Sequence, residues 1–456
     1  IEYIYIVLNV LSLPKQHGFF TDSFSNSMNS RIPLECQNKG QNSVTKFAFQ
    51  LQECTKKADI ISGRCVYDHI LKVSLESNAF LGTRLIWLFT SCGFITDANQ
   101  AFQKILEPNV YAWGAIISAN FKLGNYKDAI KLYNMMHDLN VRPDNHIFVA
   151  SFKACANSHA LKDGQLMHHD IVEMYPELDG YVASSLIYFY AHCGSLDDAC
   201  KLFDVLHRPD KVTFGVMMSA YTQHGHCEEA ITLYKRMLCM NVKMDQVAFL
   251  CTLRACAGMS ALESIRLVHD HIANCTFESD GYIGNVLVDA YAKCGSIDDA
   301  RKVFCSLEKC DVVAWGAMIE GLVQNADCEE ALRLFNKMQQ EMITPDRVVT
   351  ISVLKACCNE SLFYDGKIIH YFAILNRFES DPLINNSVID MYAKCGSLDD
   401  ARRVFDSSSY HNIVMWNTVI NGYIHHGCVW EAITLFQAMI QQGIRPNQVT
   451  FLCILK

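Results

Sequence analysis

Apolar residues recur along this chain at the spacing of one helix face, in paired segments separated by short polar turns. Over residues 312–346, Trp315, Met318, Ile319 and Leu322 stand at i, i+3, i+4 and i+7. Ala331, Leu334, Phe335 and Met338 repeat the spacing in the second half of the same stretch. Between them "QNADCEE" predicts a turn, and "TPD" closes the unit, because proline discourages continuation of a helix. The pattern predicts two helices joined by a tight turn. Such a hairpin cannot bury both faces alone and is stable only when stacked on its neighbours.

The hairpin is one of many. "YAKCGSIDDARKVF" from Tyr291 returns as "YAKCGSLDDARRVF" from Tyr392 and as "YAHCGSLDDACKLF" from Tyr190, with a worn copy, "FTSCGFITDANQAF", from Phe89. Neighbouring copies stand 101 residues apart, an interval that divides into 35, 35 and 31. Long units occupy 110–144, 211–245, 312–346 and 413–447. Units with "KAC" or "RAC" in the first helix occupy 145–179, 246–280 and 347–381, with 44–78 a weaker member. Short units occupy 79–109, 180–210, 281–311 and 382–412. A length of 456 residues would otherwise suggest about three globular domains, but strict repetition predicts one all-α stack over 44–447. Residues 1–43 do not fit the repeat, and with the Ser/Asn-rich stretch "TDSFSNSMNS" they are expected to be disordered. Residues 448–456 are expected to be the truncated start of a further repeat, and Ile1 in place of Met suggests that the chain also begins inside a longer protein.

Composition narrows the function. Half the residues are apolar, yet no run approaches the length of a membrane span, so no membrane partner is expected. The 21 cysteines lie in helical phrases of a long chain, unlike the short, loop-rich disulfide frameworks of secreted domains, and are expected to be small buried residues in a reducing compartment. A net charge of −9 argues against a generally basic nucleic-acid coat. Part of that acidity is structural: Asp197/Asp198, Glu228/Glu229, Asp298/Asp299, Glu329/Glu330 and Asp399/Asp400 all fall in the first turn of a second helix, where negative charge complements the macrodipole. A catalytic role for any of these pairs is not expected.

Metal and cofactor chemistry finds no support. His226-Cys227-Glu228 has the H-x-E form of zinc deaminases, but no C-x-x-C completes it. His168, His169, His269 and Cys275 lie in second helices without a convergent ligand set. Cys193, Cys294 and Cys395 precede a glycine at one repeated position, where close packing favours a small core residue.

The alternation of long, "KAC"-bearing and short "YAKCGS" units, with "W.AMI" openings and "PD" closings, resembles the plant pentatricopeptide-repeat proteins of the mixed-length PLS subclass over about nine tenths of the chain. The resemblance implies a right-handed α-solenoid that binds single-stranded RNA in a chloroplast or mitochondrion, many members being site-recognition factors for cytidine-to-uridine editing. It implies no cofactor. It also implies other editing factors or a deaminase as partners, and no catalysis by this stretch itself. The amino-terminal segment has few arginines and does not read as a transit peptide. A protein-binding tetratricopeptide scaffold is the alternative. Bulky Ile117, Met218, Ile319 and Ile420 stand at the eighth residue, where that family places Gly or Ala, and the 35-35-31 rhythm is not its uniform repeat.

The resemblance further implies base reading by the fifth and last residues of each repeat, one base per unit. By the family's code Thr83 with Asn109 favours adenine, Ser184 with Asp210 guanine, and Asn285 with Asp311 uracil. Asn386 with Asn412 and Asn417 with Asn447 favour cytosine. Gly114, Gly215 and Gly316 carry no side chain to reach a base, which leaves Asp144, Asp245 and Asp346 as weaker candidates. Val149, Leu250 and Ile351 are expected to be wedges or spacers. The implied sequence is A-N-N-G-N-N-U-N-N-C-C. Helix capping is the competing role for the terminal Asp and Asn residues. Lys293 and Lys394, late in their first helices, are candidate phosphate partners.

Overall fold

The computed structural model describes residues 39–175, 179–206, 209–275, 280–408 and 410–455. The disorder expected over 1–43 therefore falls, for 1–38, outside the described residues; helix α1 (Lys39–Lys57) begins ahead of the unit expected from residue 44. Among the described residues there are 25 α-helices and no strand. None of these helices is long and apolar enough to cross a membrane. The chain forms two compact units, one reaching His224 with Leu233–Ala248 added, the other comprising Gly225–Thr232 and the chain from Phe249.

In the first unit, α1, α3 (Ala79–Ser91), α5 (Val110–Lys122), α7 (Asn145–Ser158), α9 (Gly180–His192) and α11 (Lys211–Gln223) pack side by side in chain order. A second layer holds α2 (Ile60–Lys72), α4 (Ile95–Gln103), α6 (Tyr126–Asp138), α8 (Leu161–Met174) and α10 (Leu196–Val205), each lodged between its own first helix and the next. Helices α12 (Cys227–Cys239) and α13 (Gln246–Gly258) are each divided between the units. The second unit repeats the arrangement with first helices α15 (Gly281–Lys293), α17 (Val312–Gln324), α19 (Arg347–Asn359), α21 (Pro382–Lys394), α23 (Ile413–His425) and α25 (Gln448–Ile454). Its other layer is α14 (Leu262–Ala273), α16 (Ile297–Ser306), α18 (Cys328–Gln340), α20 (Phe363–Leu375), α22 (Leu398–Ser407) and α24 (Val429–Gln441). Each unit is an all-α repeat solenoid in which helices touch mainly their neighbours in the chain, so stability is close to a sum of hairpin and interface contributions.

Local chemistry places each helix start. An Asp or Asn before nearly every first helix accepts a hydrogen bond from a backbone N–H one turn in, at 2.8 Å for Asp210 and 2.9 Å for Asp144, Asp346 and Asn412. Second helices mostly lack such a cap, Asp59 before Ile60–Lys72 and Asp327 before Cys328–Gln340 being exceptions among the described residues, and carry acids in their first turn instead. Asp198, Asp299 and Asp400 accept from Ser195, Ser296 and Ser397 at 2.7, 2.9 and 2.7 Å. Arg266 reaches Asp299 from the preceding repeat at 2.9 Å, and hydrogen bonds from Arg266, Lys302 and Ser296 hold that carboxyl well below the usual carboxylate range. The turn before these helices passes through left-handed backbone, with Gly295 at φ +77° and Gly396 at +81°.

The core is equally periodic. Trp113, Phe214, Trp315 and Trp416, fourth in the long units, meet Phe102, Phe203, Phe304 and Phe405 of the preceding short unit edge-on at 4.7, 5.2, 4.9 and 4.7 Å. Ile117, Met218, Ile319 and Ile420 are fully buried. A methyl group added at Gly321 would collide with Ala292, so α15 and α17 approach as closely as their backbones allow. The cysteine expectation needs correction. Cys155, Cys251, Cys256, Cys328, Cys357, Cys358 and Cys453 are buried, but Cys193, Cys294 and Cys395 are half-buried C-caps, because the turn there leaves the packed layer.

Candidate nucleic-acid interface

The fifth and last residues of each repeat meet where two repeats join, and helix initiation brings them there. The last residue of each repeat is the N-cap of the next first helix; the fifth lies one turn inside its own. In the short unit 281–311 the two converge: Asn285 Nδ2 donates to Asp311 Oδ1 at 3.0 Å. In the long unit 413–447, Asn417 Nδ2 donates to Asn447 Oδ1 at 3.2 Å, and the Thr450 hydroxyl donates to Asn417 Oδ1 at 2.6 Å. Ser184 and Asp210 are linked through Thr213, whose hydroxyl lies 2.9 Å from Ser184 Oγ and donates to Asp210 Oδ1 at 2.6 Å. Thr83 donates instead to Ala79 O at 2.7 Å, while Asn109 caps α5 through Ala112 N at 3.0 Å. Asn386 and Asn412 make no direct bond; Asn386 Oδ1 is buried without a partner.

Exposure divides the two positions. Thr83, Ser184, Asn285 and Asn417 are buried, at 4–8 %, whereas Asn109, Asp210, Asp311 and Asn447 are exposed and Asn412 is half-buried. Asn285 and Asn417 therefore brace the last residue directly and Ser184 does so through Thr213, while Thr83 and Asn386 make no such bond. The last residue's two polar atoms have separate duties. Oδ1 accepts the backbone N–H that starts the next helix, which fixes the side chain's orientation. The other atom makes no protein hydrogen bond among the described residues. In Asp210 and Asp311 that atom is an acceptor oxygen; in Asn109, Asn412 and Asn447 it is a donor amide. Capping thus occupies one polar atom of the side chain and leaves the other available.

The remaining sequence candidates fall as follows. Asp144, Asp245 and Asp346 are half-buried and cap at 2.9, 3.0 and 2.9 Å beside Gly114, Gly215 and Gly316. Val149 and Leu250 are buried in the packing, and Ile351 is half-buried. Lys293 and Lys394 are exposed, but each is paired one turn back, with Asp289 at 2.7 Å and Asp390 at 2.8 Å. For Lys394, burial works against the charge, but the hydrogen bond and charge of Asp390 outweigh it and raise the pKa. Each pair presents little net charge to a phosphate. The histidines of the "KAC" units serve packing: Nδ1 of His168, His269 and His370 lies 2.8, 3.0 and 3.0 Å from the hydroxyls of Tyr190, Tyr291 and Tyr392.

Sequence reasoning missed a set of cations and rings on the first-helix layer of the first unit. Lys122 Nζ lies 4.9 Å from the Trp87 ring centroid, Lys153 Nζ 5.6 Å from Tyr181, and the Arg84 guanidinium 5.5 Å from Phe80. Burial pushes the pKa of Arg84, Lys122 and Lys153 down. Projecting the second, sixth, ninth and thirteenth residues of each repeat together would have found them. Among the described residues no group of three or more His, Cys, Asp or Glu side chains could hold a metal ion.

Comparison with known proteins agrees with this architecture. A PPR repeat family model matches residues 108–157, 209–258, 310–359 and 411–456, and a PPR repeat model matches 181–208, 285–312 and 386–409, together more than half of the chain. A pentatricopeptide repeat-containing protein of Arabidopsis thaliana is 31 % identical over 404 residues, 88 % of this chain and 48 % of that protein. Another, described as chloroplastic, is 33 % identical over 409 residues, 90 % of this chain and 66 % of its own. A third, described as mitochondrial, is 28 % identical over 90 % of this chain and 46 % of its own. The chain thus spans between about half and two thirds of the length of these relatives. Among solved structures, that of the pentatricopeptide repeat protein PPR10 in complex with an 18-nt psaJ RNA element superposes with a TM-score of 0.71 at 16 % identity, over 96 % of this chain and 68 % of that one. PPR10 from maize without RNA gives 0.63 at 17 %, over 95 % and 68 %. At these identities the likeness is one of fold.

Proposed function

This chain belongs to the plant PPR repeat family, and on that premise we propose that it binds single-stranded RNA in a chloroplast or mitochondrion and reads one base per repeat. RNA binding is supported by the fold shared with an RNA-bound relative, and an organellar site by the chloroplastic and mitochondrial relatives. One observation supports the base reading: at Asn109, Asp210, Asp311, Asn412 and Asn447 one side-chain atom caps the next helix, and the other is an acceptor in the Asp residues and a donor in the Asn residues.

The chemistry of the bases fits that division. Guanine and uracil carry a ring N–H on the pairing edge, which an outward carboxylate oxygen accepts; adenine and cytosine carry a ring nitrogen acceptor there, which an outward amide satisfies. Asp210 and Asp311 accordingly take guanine and uracil. Asn109, Asn412 and Asn447 take adenine, cytosine and cytosine. The fifth residues Thr83, Ser184, Asn285, Asn386 and Asn417 set the tilt of the end residue and decide between purine and pyrimidine. Within a longer protein, this stretch serves as the site-recognition part of a cytidine-to-uridine editing factor or another transcript-processing factor, with the chemistry supplied by other editing factors or a deaminase.

The test is a filter-binding comparison of RNA carrying A-N-N-G-N-N-U-N-N-C-C with scrambled RNA of equal composition. The ordered RNA should bind at least about tenfold more tightly, and affinity should fall with salt at a slope near −0.7 per phosphate contacted. Equal affinity for the two RNAs would remove the base-by-base reading.

A further inference from the structure

The pairs Asn386/Asn412 and Asn417/Asn447 carry the same residues at the fifth and last positions, yet their side chains are held differently. Both ends of the Asn417 amide are engaged: Nδ2 donates to Asn447 Oδ1 at 3.2 Å, and Oδ1 accepts the Thr450 hydroxyl at 2.6 Å. Asn386 makes no hydrogen bond to Asn412 among the described residues, and its Oδ1 is buried without a partner. The difference follows one position, the third residue of the next repeat. That residue is Thr450 after the Asn417 unit and Met415 after the Asn386 unit.

A second threonine holds this position after the Ser184 unit. Thr213 donates to Asp210 Oδ1 at 2.6 Å, and its oxygen lies 2.9 Å from Ser184 Oγ. An ionised Asp210 can only accept, so the Thr213 proton goes to it and the Thr213 oxygen is left as an acceptor towards Ser184. The other repeats from 79 to 447 carry an apolar third residue. Ala314 follows the Asn285 unit, where the longer amide reaches Asp311 Oδ1 unaided at 3.0 Å. Ala112 follows the Thr83 unit, and there the fifth-residue hydroxyl turns back to Ala79 O at 2.7 Å. A short fifth side chain is thus tied to the repeat end where the next repeat supplies a hydroxyl, and is not where it supplies a methyl group.

We propose that the third residue of the following repeat is a positioning residue for RNA recognition: a threonine there locks the fifth and last residues of the preceding repeat into one arrangement, and an apolar residue leaves them looser. The inference rests on the base reading proposed above and adds to it a side chain that does not meet the base, since Thr213 and Thr450 are 1 % and 0 % exposed. Helix capping alone does not account for these hydroxyls. A capping box needs bonds only within three residues, and Asn447 N does donate to Thr450 Oγ1 at 3.1 Å. The bonds to Ser184 and Asn417 reach 29 and 33 residues back, into the first helix of the preceding repeat. An amide whose oxygen has no partner has less to fix which way it faces, so Asn386 holds its repeat end less firmly than Asn417 does.

The experiment measures affinity of the chain for RNAs that vary one base at a time. The tenth and eleventh bases face identical fifth and last residues, so a two-residue code gives them equal preference for cytosine over uracil. The preference at the eleventh should instead exceed that at the tenth by about fivefold, the worth of one buried hydrogen bond. Thr450→Val, nearly isosteric and without the hydroxyl, should bring the eleventh down to the level of the tenth, and Thr450→Ser should restore it. Thr213→Val should likewise cut the preference for guanine over adenine at the fourth base by about fivefold, with the seventh base, assigned to Asn285 and Asp311, unchanged. Thermal melting followed by circular dichroism reports the capping contribution separately. Valine variants that melt lower but keep their base preferences overturn the proposal and leave the threonines as caps. Equal preferences at the tenth and eleventh bases overturn it too. No preference at the fourth, seventh, tenth or eleventh base in the unaltered chain overturns the base-by-base reading, and the proposal with it.

Discussion

Asn285 gives its side-chain amide to Asp311 Oδ1 at 3.0 Å, and the same oxygen receives the backbone N–H of Ala314 at 2.9 Å. One atom thus joins the fifth residue of a repeat, the last residue of that repeat and the start of the next helix. The other carboxylate oxygen makes no protein hydrogen bond among the described residues.

Exchanging Asp311 for Asn should separate these duties. Asn caps about as well as Asp, so stability should change by less than ~0.5 kcal/mol, while the outward atom becomes a donor. Preference at the seventh base should move from uracil to cytosine by about tenfold, with the other positions unaffected, in binding titrations against single-base RNA variants. Asp311→Ala should instead cost about 1 kcal/mol of stability and flatten the preference at that base. A uniform loss across all positions would show that Asp311 acts only as a cap.

The indole of Trp315 is 1 % exposed and its Nε1 has no partner. Trp315→Ala should destabilise the second unit by about 3–5 kcal/mol, as measured by urea unfolding followed by circular dichroism. Trp315→Phe should cost far less, because Phe214 holds the equivalent place against Phe203 at 5.2 Å and the substitution removes an unsatisfied N–H. A large loss on Trp315→Phe would mean that the N–H has a partner in solution.

Ala326 lies at φ +62°, where the other long units have Gly124, Gly225 and Gly427. Left-handed backbone costs a residue with a Cβ about 1–2 kcal/mol, and glycine recovers part of that despite its greater freedom when unfolded. Ala326→Gly should raise stability by up to about 1 kcal/mol, visible as a higher urea midpoint with an unchanged slope. A lower midpoint would show that the turn relaxes around alanine.

The His168–Tyr190 and His370–Tyr392 contacts make stability sensitive to mild acid. Burial is the main cause that lowers both histidine pKa values; the nearby charges of Asp198 and Asp400 partly oppose it. Burial likewise pushes the two phenols up to about 12, so each tyrosine keeps its proton and is hydrogen-bonded to a neutral imidazole. A folded pKa below the unfolded value of about 6.5 means that the unfolded chain takes up more protons in the window beneath it. The contribution is full above that value and is lost as pH falls towards the folded pKa. The melting temperature should therefore drop between pH 7 and 5, and the drop should shrink in the His168→Gln, His370→Gln double variant. A separate loss below about pH 4 should follow as Asp299 is protonated, since its folded pKa is depressed. A melting temperature flat from pH 7 to 5 would exclude the histidine contribution.

Much of the scaffold can be read in the amino-acid order because periodic burial writes itself into periodic residues. First helices from Ala79 to Gln448 start at the residues that open the repeats, and Trp113, Trp315 and Trp416 recur where the packing needs a large ring. The identity of the repeat-end residues was equally plain. Their geometry was not: that Asn285 is buried and turned towards Asp311, that Asp289 and Asp390 engage Lys293 and Lys394, or that Lys153 reaches a tyrosine of the next hairpin depends on side-chain conformation across repeats. The Asn285–Asp311 and Lys153–Tyr181 contacts join residues nearly thirty positions apart, which no local period records; the two lysine pairs lie one helical turn apart, and their formation depends on rotamer. Cys193, Cys294 and Cys395 show the same limit, since their recurrence looked like core and is a helix end.

Because helix initiation occupies only Oδ1 of the terminal side chain, replacing one outward oxygen by an amino group inverts what that junction offers to solvent without moving the backbone. Mutational drift at these ends is therefore nearly silent for folding. Under the proposed base reading, a lineage carrying such hairpins would change its target one letter at a time while the supporting architecture stays constant.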